Sequence, residues 1–315
     1  MPDDQPRLHS FPLSGTKIFF ADGGKRTTLY DTEARCAITT PCLHARKKFP
    51  VTFSIPSPGA EGEQDQADGG SLYIMDTTLN PRNATPFEAL IWRHREDEHY
   101  SFAQKTWHCD ALPRPPFFDR RLDQYTSVLS YAVVGDLVCV SVTNCGTYCF
   151  DTVSPTWSLA GDWEMPFFGK AEYVPELELW FGASADNHQL PCAADLSPVP
   201  GGYAPKKRYI WRDPHLPADW LPDLFTPANI VSLGSGRFCI INFFRDMKDV
   251  GSSWMDVTEG SPTVVFSGLQ VLADNGKDID SSKGSSSDTG NGLRMIKHKS
   301  RLCRDTNTHS IKSVL

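Results

Sequence analysis

Histidine and carboxylate side chains cluster in the hexapeptide HREDEH, which runs from His94 to His99. Imidazole and carboxylate groups ligate metal ions and act as general acids and bases, so a cluster of them could form a reactive site. The two histidines are five residues apart, however, which is not the spacing that places two imidazoles on one face of a helix in zinc hydrolases. We therefore interpret the segment as a charged loop between two strands and assign no metal-binding residue.

Cysteines offer a second kind of chemistry. Cys145 and Cys149 are four residues apart, and Cys139 lies on the preceding run of apolar residues. A structural zinc site would need a second pair of ligands nearby, which the sequence does not supply. Alternation along a strand would place Cys145 and Cys149 on one face, a position that also suits small core residues. We predict that these cysteines pack in the core.

Aspartates that follow an aromatic residue are the third candidate for chemistry, as in Tyr30-Asp31 and Phe150-Asp151. A catalytic carboxylate is needed once, whereas a turn-stabilising aspartate is needed in every copy of a repeated unit. The chain has no Gly-x-Ser-x-Gly nucleophile elbow and no glycine-rich phosphate loop. The sequence therefore predicts no catalytic residue and no cofactor.

The elements that would position these residues are short strands. The runs YAVVG, LVCVSV, GTYCFD and TWSLAG fall within residues 131–161 and are separated by turn residues. They predict a four-stranded antiparallel meander. Asp151 ends the third strand, where its carboxylate can accept backbone N–H bonds from the turn, and Trp157 on the fourth strand can fill the space between neighbouring sheets.

The same order of turn glycine, aspartate and tryptophan recurs along the chain. The predicted structural repeat positions are Asp31, Trp107, Asp151, Trp157, Asp195 and Trp211. Asp151 and Asp195 are 44 residues apart, about one blade of a β-propeller. This recurrence favours an all-β, kelch-like propeller of about five blades, with six left open, over a β-sandwich, which does not require it.

The predicted domain boundaries follow from composition. We expect a disordered N-terminus at 1–15, one propeller domain at 16–303 with flexible loops at 56–70 and 274–292, and a disordered tail at 304–315. The first blade lacks an obvious first strand. We therefore predict that it is incomplete and is closed by the C-terminal strand GLRMIKHKS, Gly292–Ser300.

Net charge and composition disfavour several classes of protein, among them nucleic-acid-binding and membrane-spanning proteins. The 315 residues carry a net charge of −7, which disfavours binding to nucleic acid or anionic membranes. No apolar run approaches the ~20 residues of a membrane span, and the N-terminus has no signal-peptide pattern. Nine cysteines, an odd number, indicate a reducing compartment. We expect an intracellular monomer, cytoplasmic or nuclear.

The order of motifs in SYAVVGD, GTYCFDTVSPTWSLAGDWEMPFFGK, AEYVPELELWFGAS and CAADL is similar to that of a large family of plant proteins, expanded in grasses. That family is classified as a domain of unknown function and has kelch-like repeats of the galactose-oxidase central-domain type. The resemblance runs from about Lys17 to Cys303 and is most specific in Gly146–Gly169 and Ala171–Ser184. It implies a propeller and supplies neither an activity nor catalytic residues.

These observations favour a non-enzymatic scaffold that binds a partner protein through loops at one rim of the propeller. Because aromatic residues and arginine are the usual interface anchors, the candidate contact residues are Trp163, Phe167, Phe168, Trp220 and Arg237. The alternative is an enzyme or small-ligand binder that uses the central channel, which would require polar groups from several blades to converge there. A diverged duplicate without a partner is a third hypothesis.

Overall fold

The structure is a computed structural model that describes residues 8–55, 70–94, 105–119, 126–186, 190–211, 220–222, 228–246, 263–273 and 293–304. The predicted flexible loops therefore lie outside the described residues, except for Gly70, and so does the predicted tail beyond Arg304. None of the helices in the described part of the chain is long and apolar enough to cross a bilayer.

The described residues form twenty-one β-strands, which are arranged in successive blades. Blade 1 contains β1 (His9–Pro12), β2 (Lys17–Ala21), β3 (Thr27–Asp31) and β4 (Cys36–Thr40). Blade 2 contains β5 (Pro50–Ile55), β6 (Ser71–Asp76), β7 (Phe87–His94) and β8 (Lys105–Ala111). Blade 3 contains β9 (Val128–Val134), β10 (Leu137–Val142), β11 (Gly146–Asp151) and β12 (Thr156–Gly161). Blade 4 contains β13 (Phe167–Val174), β14 (Leu179–Ser184), β15 (Pro191–Asp195) and β16 (Lys206–Ile210). Blade 5 contains β17 (Trp220–Pro222), β18 (Asn229–Ser232), β19 (Arg237–Asp246), β20 (Thr263–Ala273) and β21 (Leu293–Arg304).

Blades 1 to 4 are each an antiparallel meander in which the four strands pair in chain order. In blade 5, β17 and β18 both pair with β19 and together occupy the place of a first strand. The first strands of neighbouring blades lie side by side: β1 contacts β5, β5 contacts β9, and β9 pairs in parallel with β13. Successive meanders with adjacent first strands are the architecture of a β-propeller. The all-β propeller prediction is confirmed.

Apolar packing between the faces of consecutive blades forms the core. Because successive side chains of a strand point to opposite faces of the sheet, a blade between two neighbours can bury apolar side chains on both of its faces. On β6, Leu72 and Ile74 pack toward blade 1, whereas Tyr73 and Met75 pack toward blade 3. Further apolar clusters lie between blades 3 and 4 and between blades 4 and 5. The sequences of the central strands are therefore nearly continuous runs of apolar residues.

Two predictions about the ends of the chain are wrong. Of the segment predicted to be disordered at 1–15, residues 1–7 lie outside the described ranges, but His9–Pro12 form β1. This strand pairs with β2 and buries Phe11 in the core, so blade 1 has its own first strand and is complete. The C-terminal strand β21 pairs along its length with β20 as the outer strand of blade 5 and does not complete blade 1. Four residues of β1 gave too little pattern to recognise, although pairing with β2 stabilises them.

A close approach of two backbones fixes the turn that leads into β11. Gly146 has a φ of 92° there, and a Cβ atom built on it would lie 2.3 Å from the carbonyl oxygen of Gly161. Gly135, in the turn between β9 and β10, also has a positive φ, of 59°, but nothing lies within 4 Å of its Cβ position. Both glycines have the left-handed backbone conformation, but only at Gly146 would a Cβ atom collide with a neighbouring backbone. Alanine substitutions at the two positions therefore distinguish the free-energy cost of the conformation from that of the collision.

Replacement of Gly146 by alanine should destabilise the protein much more than replacement of Gly135. We expect Gly135→Ala to lower the free energy of unfolding by about 1–2 kcal/mol, since only the left-handed conformation is penalised. Gly146→Ala should lower it by about 3 kcal/mol or more, because the backbone around Gly161 must also move. Urea denaturation followed by tryptophan fluorescence measures both values. Equal losses would contradict the close approach.

Candidate functional site

The three predicted repeat aspartates each accept hydrogen bonds from the turn that follows the third strand of their blade. Asp31 Oδ1 accepts the backbone N–H groups of Glu33 and Ala34, both at 2.9 Å. Asp151 Oδ1 accepts those of Val153 and Ser154, and Asp195 Oδ1 accepts that of Ser197. These carboxylates therefore hold turns and lie in three different blades.

The three repeat tryptophans lie between blades. Trp107 packs edge-on against Phe19 of blade 1 at 4.9 Å between ring centroids. Trp157 packs against Phe87 of blade 2 and donates its indole N–H to the carbonyl oxygen of Pro113. Trp211 follows β16 directly and stacks on Phe181 in the cluster between blades 4 and 5. Trp211 is buried in the core, whereas Trp107 and Trp157 are half-buried and pack against core clusters.

The structure does not assemble the five predicted partner-contact residues into one surface. Phe167 is 0% exposed in the cluster between blades 3 and 4, so its prediction as a contact residue is wrong. Trp163 packs partly buried against the same cluster, and Phe168 is half-buried on β13. Arg237 is exposed in blade 5. Trp220 belongs to β17, and its side chain lies outside the described part of the chain.

In the described part of the chain, His94 does not join Cys139, Cys145 and Cys149 in one group of possible metal ligands. His94 ends β7, and residues 95–99 of the HREDEH segment lie outside the described ranges. Cys139 and Cys149 are directly opposite each other on β10 and β11, with their sulfurs 3.0 Å apart in the core. Cys145 packs in a different cluster from Cys149, so the shared face was wrong: Cys145 lies in the turn before β11, where strand alternation does not apply.

A different set of residues forms the candidate functional site, at the interface of blades 1 and 2. It consists of His44 and Lys47 in the connection 41–49, Glu88 on β7 and Cys109 on β8. Glu88 and Cys109 share one face of blade 2, because in the pairing of β7 with β8 Glu88 lies opposite Ala111, two residues from Cys109. The connection 41–49 leads from the outer strand of blade 1 to the inner strand of blade 2 and passes over this face.

Glu88 is the centre of the site. Its side chain is 0% exposed, and that of Lys47, with which it forms an ion pair, is 2% exposed. The carboxylate also accepts the backbone N–H groups of His44, at 2.6 Å, and Ala45, at 3.1 Å. The ammonium group of Lys47 donates further to the carbonyl oxygens of Ala45 and Thr85. A buried charge is tolerated because both partners are fully hydrogen-bonded.

His44 and Cys109 converge on one oxygen of Glu88. Oε2 lies 2.8 Å from His44 Nδ1 and 3.4 Å from Cys109 Sγ, and these two atoms are 3.6 Å from each other. Lys47 binds the other oxygen, Oε1. The side chain of His44 is 47% exposed, so the site is open to solvent on the imidazole side. His44 Nδ1, Cys109 Sγ and Glu88 Oε2 therefore lie close together, next to the buried ion pair of Glu88 and Lys47.

The surroundings shift two pKa values in opposite directions. Burial alone raises the pKa of Glu88, but the hydrogen bonds and charge of Lys47, with the donors of His44, outweigh it and hold the pKa below its usual value. The carboxylate thus stabilises the fold above its unfolded-state pKa, and this contribution is lost as the pH falls through the lowered pKa. Burial, together with the charge of Glu88, raises the pKa of Cys109 from 9.0 to about 12.

Sequence reasoning missed these four residues. His44, Glu88 and Cys109 are 44 and 21 residues apart along the chain, so no local motif connects them. One signal was present: Glu88 is a charge inside the apolar strand sequence FEALIWRH. A charged residue on a strand that packs on both faces must have a buried partner, and only the course of the connection 41–49 shows which one.

The family model "Protein of unknown function (DUF1668)" matches residues 2–304. The chain therefore belongs to this family. No match is found among curated proteins.

Two solved structures are similar to the chain at low sequence identity. One is a structural genomics protein of unknown function from Bacteroides thetaiotaomicron, with 8% identity and a TM-score of 0.40 over 74% of this chain and 51% of that chain. The other is the Cps50 (Swd1) beta-propeller domain from Myceliophteria thermophila, with 11% identity and a TM-score of 0.32 over 57% of this chain and 49% of that chain. The chain thus matches about half the length of each structure.

Removal of the cation from the buried ion pair should destabilise the protein. We expect Lys47→Met to lower the free energy of unfolding by roughly 3–5 kcal/mol, since Glu88 is left charged and buried without its partner. Lys170→Met is the matched control, because Lys170 pairs with Glu172 at the surface and such pairs contribute about 1 kcal/mol or less. Guanidinium denaturation measures the free energy of unfolding of both variants. Similar losses would show that the buried pair of Lys47 and Glu88 stabilises the fold no more than a surface pair does.

The thiol of Cys109 should react slowly with alkylating reagents. Because the thiolate is the nucleophile, a pKa of about 12 leaves very little of the reactive form at pH 8, and the rate should still increase about tenfold per pH unit between pH 8 and 10. Iodoacetamide labelling followed by peptide mass spectrometry measures this rate, with the exposed Cys36 as reference. A rate for Cys109 that equals that of Cys36 would contradict the raised pKa.

Proposed function

We propose that this member of the family is a non-enzymatic protein-interaction scaffold of the kelch-like propeller type, and that its partner docks on the outer edge of blade 1. The observation that carries the proposal is the chemistry of β4. Its first four residues are exposed, and its sequence, CAITT, contains no charge. An uncharged, exposed edge strand is a template for pairing with another chain.

The other outer strands support the choice of β4 by contrast. The outer strand of a propeller blade has an unpaired edge, which proteins commonly protect with charged residues. The charged residues of these strands are Lys105 and Asp110 on β8, Lys206, Lys207 and Arg208 on β16, and Arg294, Lys297, Lys299, Arg301 and Arg304 on β21. β12 has no charge, but the turn Val199–Gly201 lies beside it. Among the outer strands that the structure describes, β4 thus combines an uncharged sequence with an open edge.

The partner that fits this edge is an extended protein segment. In β-strand addition, the backbone N–H and C=O groups of the edge strand provide affinity, and alternate side chains provide specificity. Ile38, which is 47% exposed, offers an apolar side chain in the middle of β4. The net charge of −7 supports a protein partner over nucleic acid. The nine free cysteines support a reducing, intracellular location.

The proposal is tested by charging the edge. Ile38→Lys should weaken partner binding by about tenfold or more, because a lysine on an edge strand opposes pairing and the apolar contact is lost. Val153→Lys is the matched control: Val153 is 72% exposed in the turn after β11, away from β4, so the same change of charge should leave binding intact. Quantitative affinity capture from an extract of the source organism, with each purified variant as bait, measures the difference.

Two outcomes would contradict the proposal. A stoichiometric partner that binds the wild type and Ile38→Lys equally would exclude β4 as the docking edge. A chain that captures no partner, but whose melting temperature increases with a member of a metabolite panel, would instead support a small-ligand site in the channel.

A further inference from the structure

We propose that His44, Glu88 and Cys109 form a binding site for Zn²⁺, with the imidazole nitrogen, one carboxylate oxygen and the thiolate sulfur as protein ligands. The site does not depend on the proposed function. Among the residues that the structure describes, this is the group in which three ligand atoms of different side chains lie within 4.8 Å of one another. Nitrogen, sulfur and oxygen together suit the borderline-soft Zn²⁺ better than the hard cations Mg²⁺ and Ca²⁺, which prefer oxygen ligands.

The separations of the three atoms approach those of a tetrahedral site. With usual zinc–ligand bonds, two ligands at tetrahedral angles are about 3.5 Å apart when one is sulfur and about 3.3 Å apart when they are nitrogen and oxygen. Cys109 Sγ lies 3.6 Å from His44 Nδ1 and 3.4 Å from Glu88 Oε2, which matches within about 0.1 Å. The hydrogen bond between Nδ1 and Oε2, 2.8 Å long, must open by about 0.5 Å.

The two oxygens of Glu88 have separate roles. Lys47 and the N–H group of Ala45 bind Oε1. Oε2 accepts the backbone N–H of His44 and faces the imidazole and the thiol. Lys47 thereby fixes the carboxylate so that Oε2 is presented as a single ligand atom. A ligand that is oriented by other groups binds metal better than a freely rotating one. The positive charge of Lys47 repels the cation, so the affinity should be lower than at a site without it.

Zinc would take the place of hydrogens that now bridge the three side chains. The thiol of Cys109 donates its hydrogen to Oε2, and the proton is released to solvent as the sulfur becomes a ligand. His44 must then carry its remaining proton on Nε2, so that the lone pair of Nδ1 is free. Because the imidazole is half exposed, Nε2 can donate to water and a water molecule can supply the fourth ligand.

Metal titration of the full chain tests the site. After chelator treatment, the protein should bind about one equivalent of Zn²⁺, measured by competition with a chromophoric chelator. Co²⁺ should produce a thiolate-to-metal charge-transfer band and the intense visible bands of tetrahedral coordination. His44→Ala and Cys109→Ser should each weaken Zn²⁺ binding by at least about tenfold, because loss of even an indirect supporting group costs that much.

Cys42→Ser and Cys36→Ser are matched controls, since both cysteines are exposed and Cys42 is two residues from His44. Both variants should retain the affinity of the wild type. Loss of binding in Cys42→Ser with retention in Cys109→Ser would overturn the assignment, and so would an octahedral Co²⁺ spectrum without a thiolate band in the wild-type protein. The Co²⁺ spectrum is informative even if a variant does not fold.

Discussion

The structure depends on burial of both faces of every central sheet. A strand such as β6 places Leu72 and Ile74 in one interface and Tyr73 and Met75 in the next, so a substitution on one strand affects one interface at a time. Each blade is stable only beside its neighbours, because a lone four-stranded sheet would expose one apolar face or both. The tryptophans add aromatic contacts between neighbouring blades, and the aspartates accept hydrogen bonds from the turns that follow the third strands.

Glu88 is an exception to this apolar rule, and the connection between blades 1 and 2 is built around it. A carboxylate in an apolar interface requires a cation and several donors, and 41–49 supplies Lys47 together with backbone N–H groups. The hydrogen bonds and the ion pair that hold this connection in place also bring His44 beside Cys109. The group of possible metal ligands is thus a consequence of how one buried charge is satisfied.

The outer strands show a second pattern, in which charge is distributed unevenly around the blades. Basic residues cover β16 and β21, while β4 has none. Charged edges oppose association with other strands, so β4 differs from the charged outer strands β8, β16 and β21. The uncharged edge of β4 and the cluster around Glu88 both involve blade 1, but they consist of different residues, and neither depends on the other.

Local sequence patterns suffice to predict the fold class and most strands, because alternation and turn residues depend only on neighbouring positions. Three of the predicted strands of blade 3 have the observed bounds, at 137–142, 146–151 and 156–161. Only the tertiary structure revealed β1, whose four residues are stabilised by pairing, and the burial of Phe167, which the sequence presented as an exposed aromatic. It also decided which groups surround Glu88. Three residues of that cluster are far apart in the chain, and they meet because strand register and the path of a connection, neither of which is encoded locally, place them on one face.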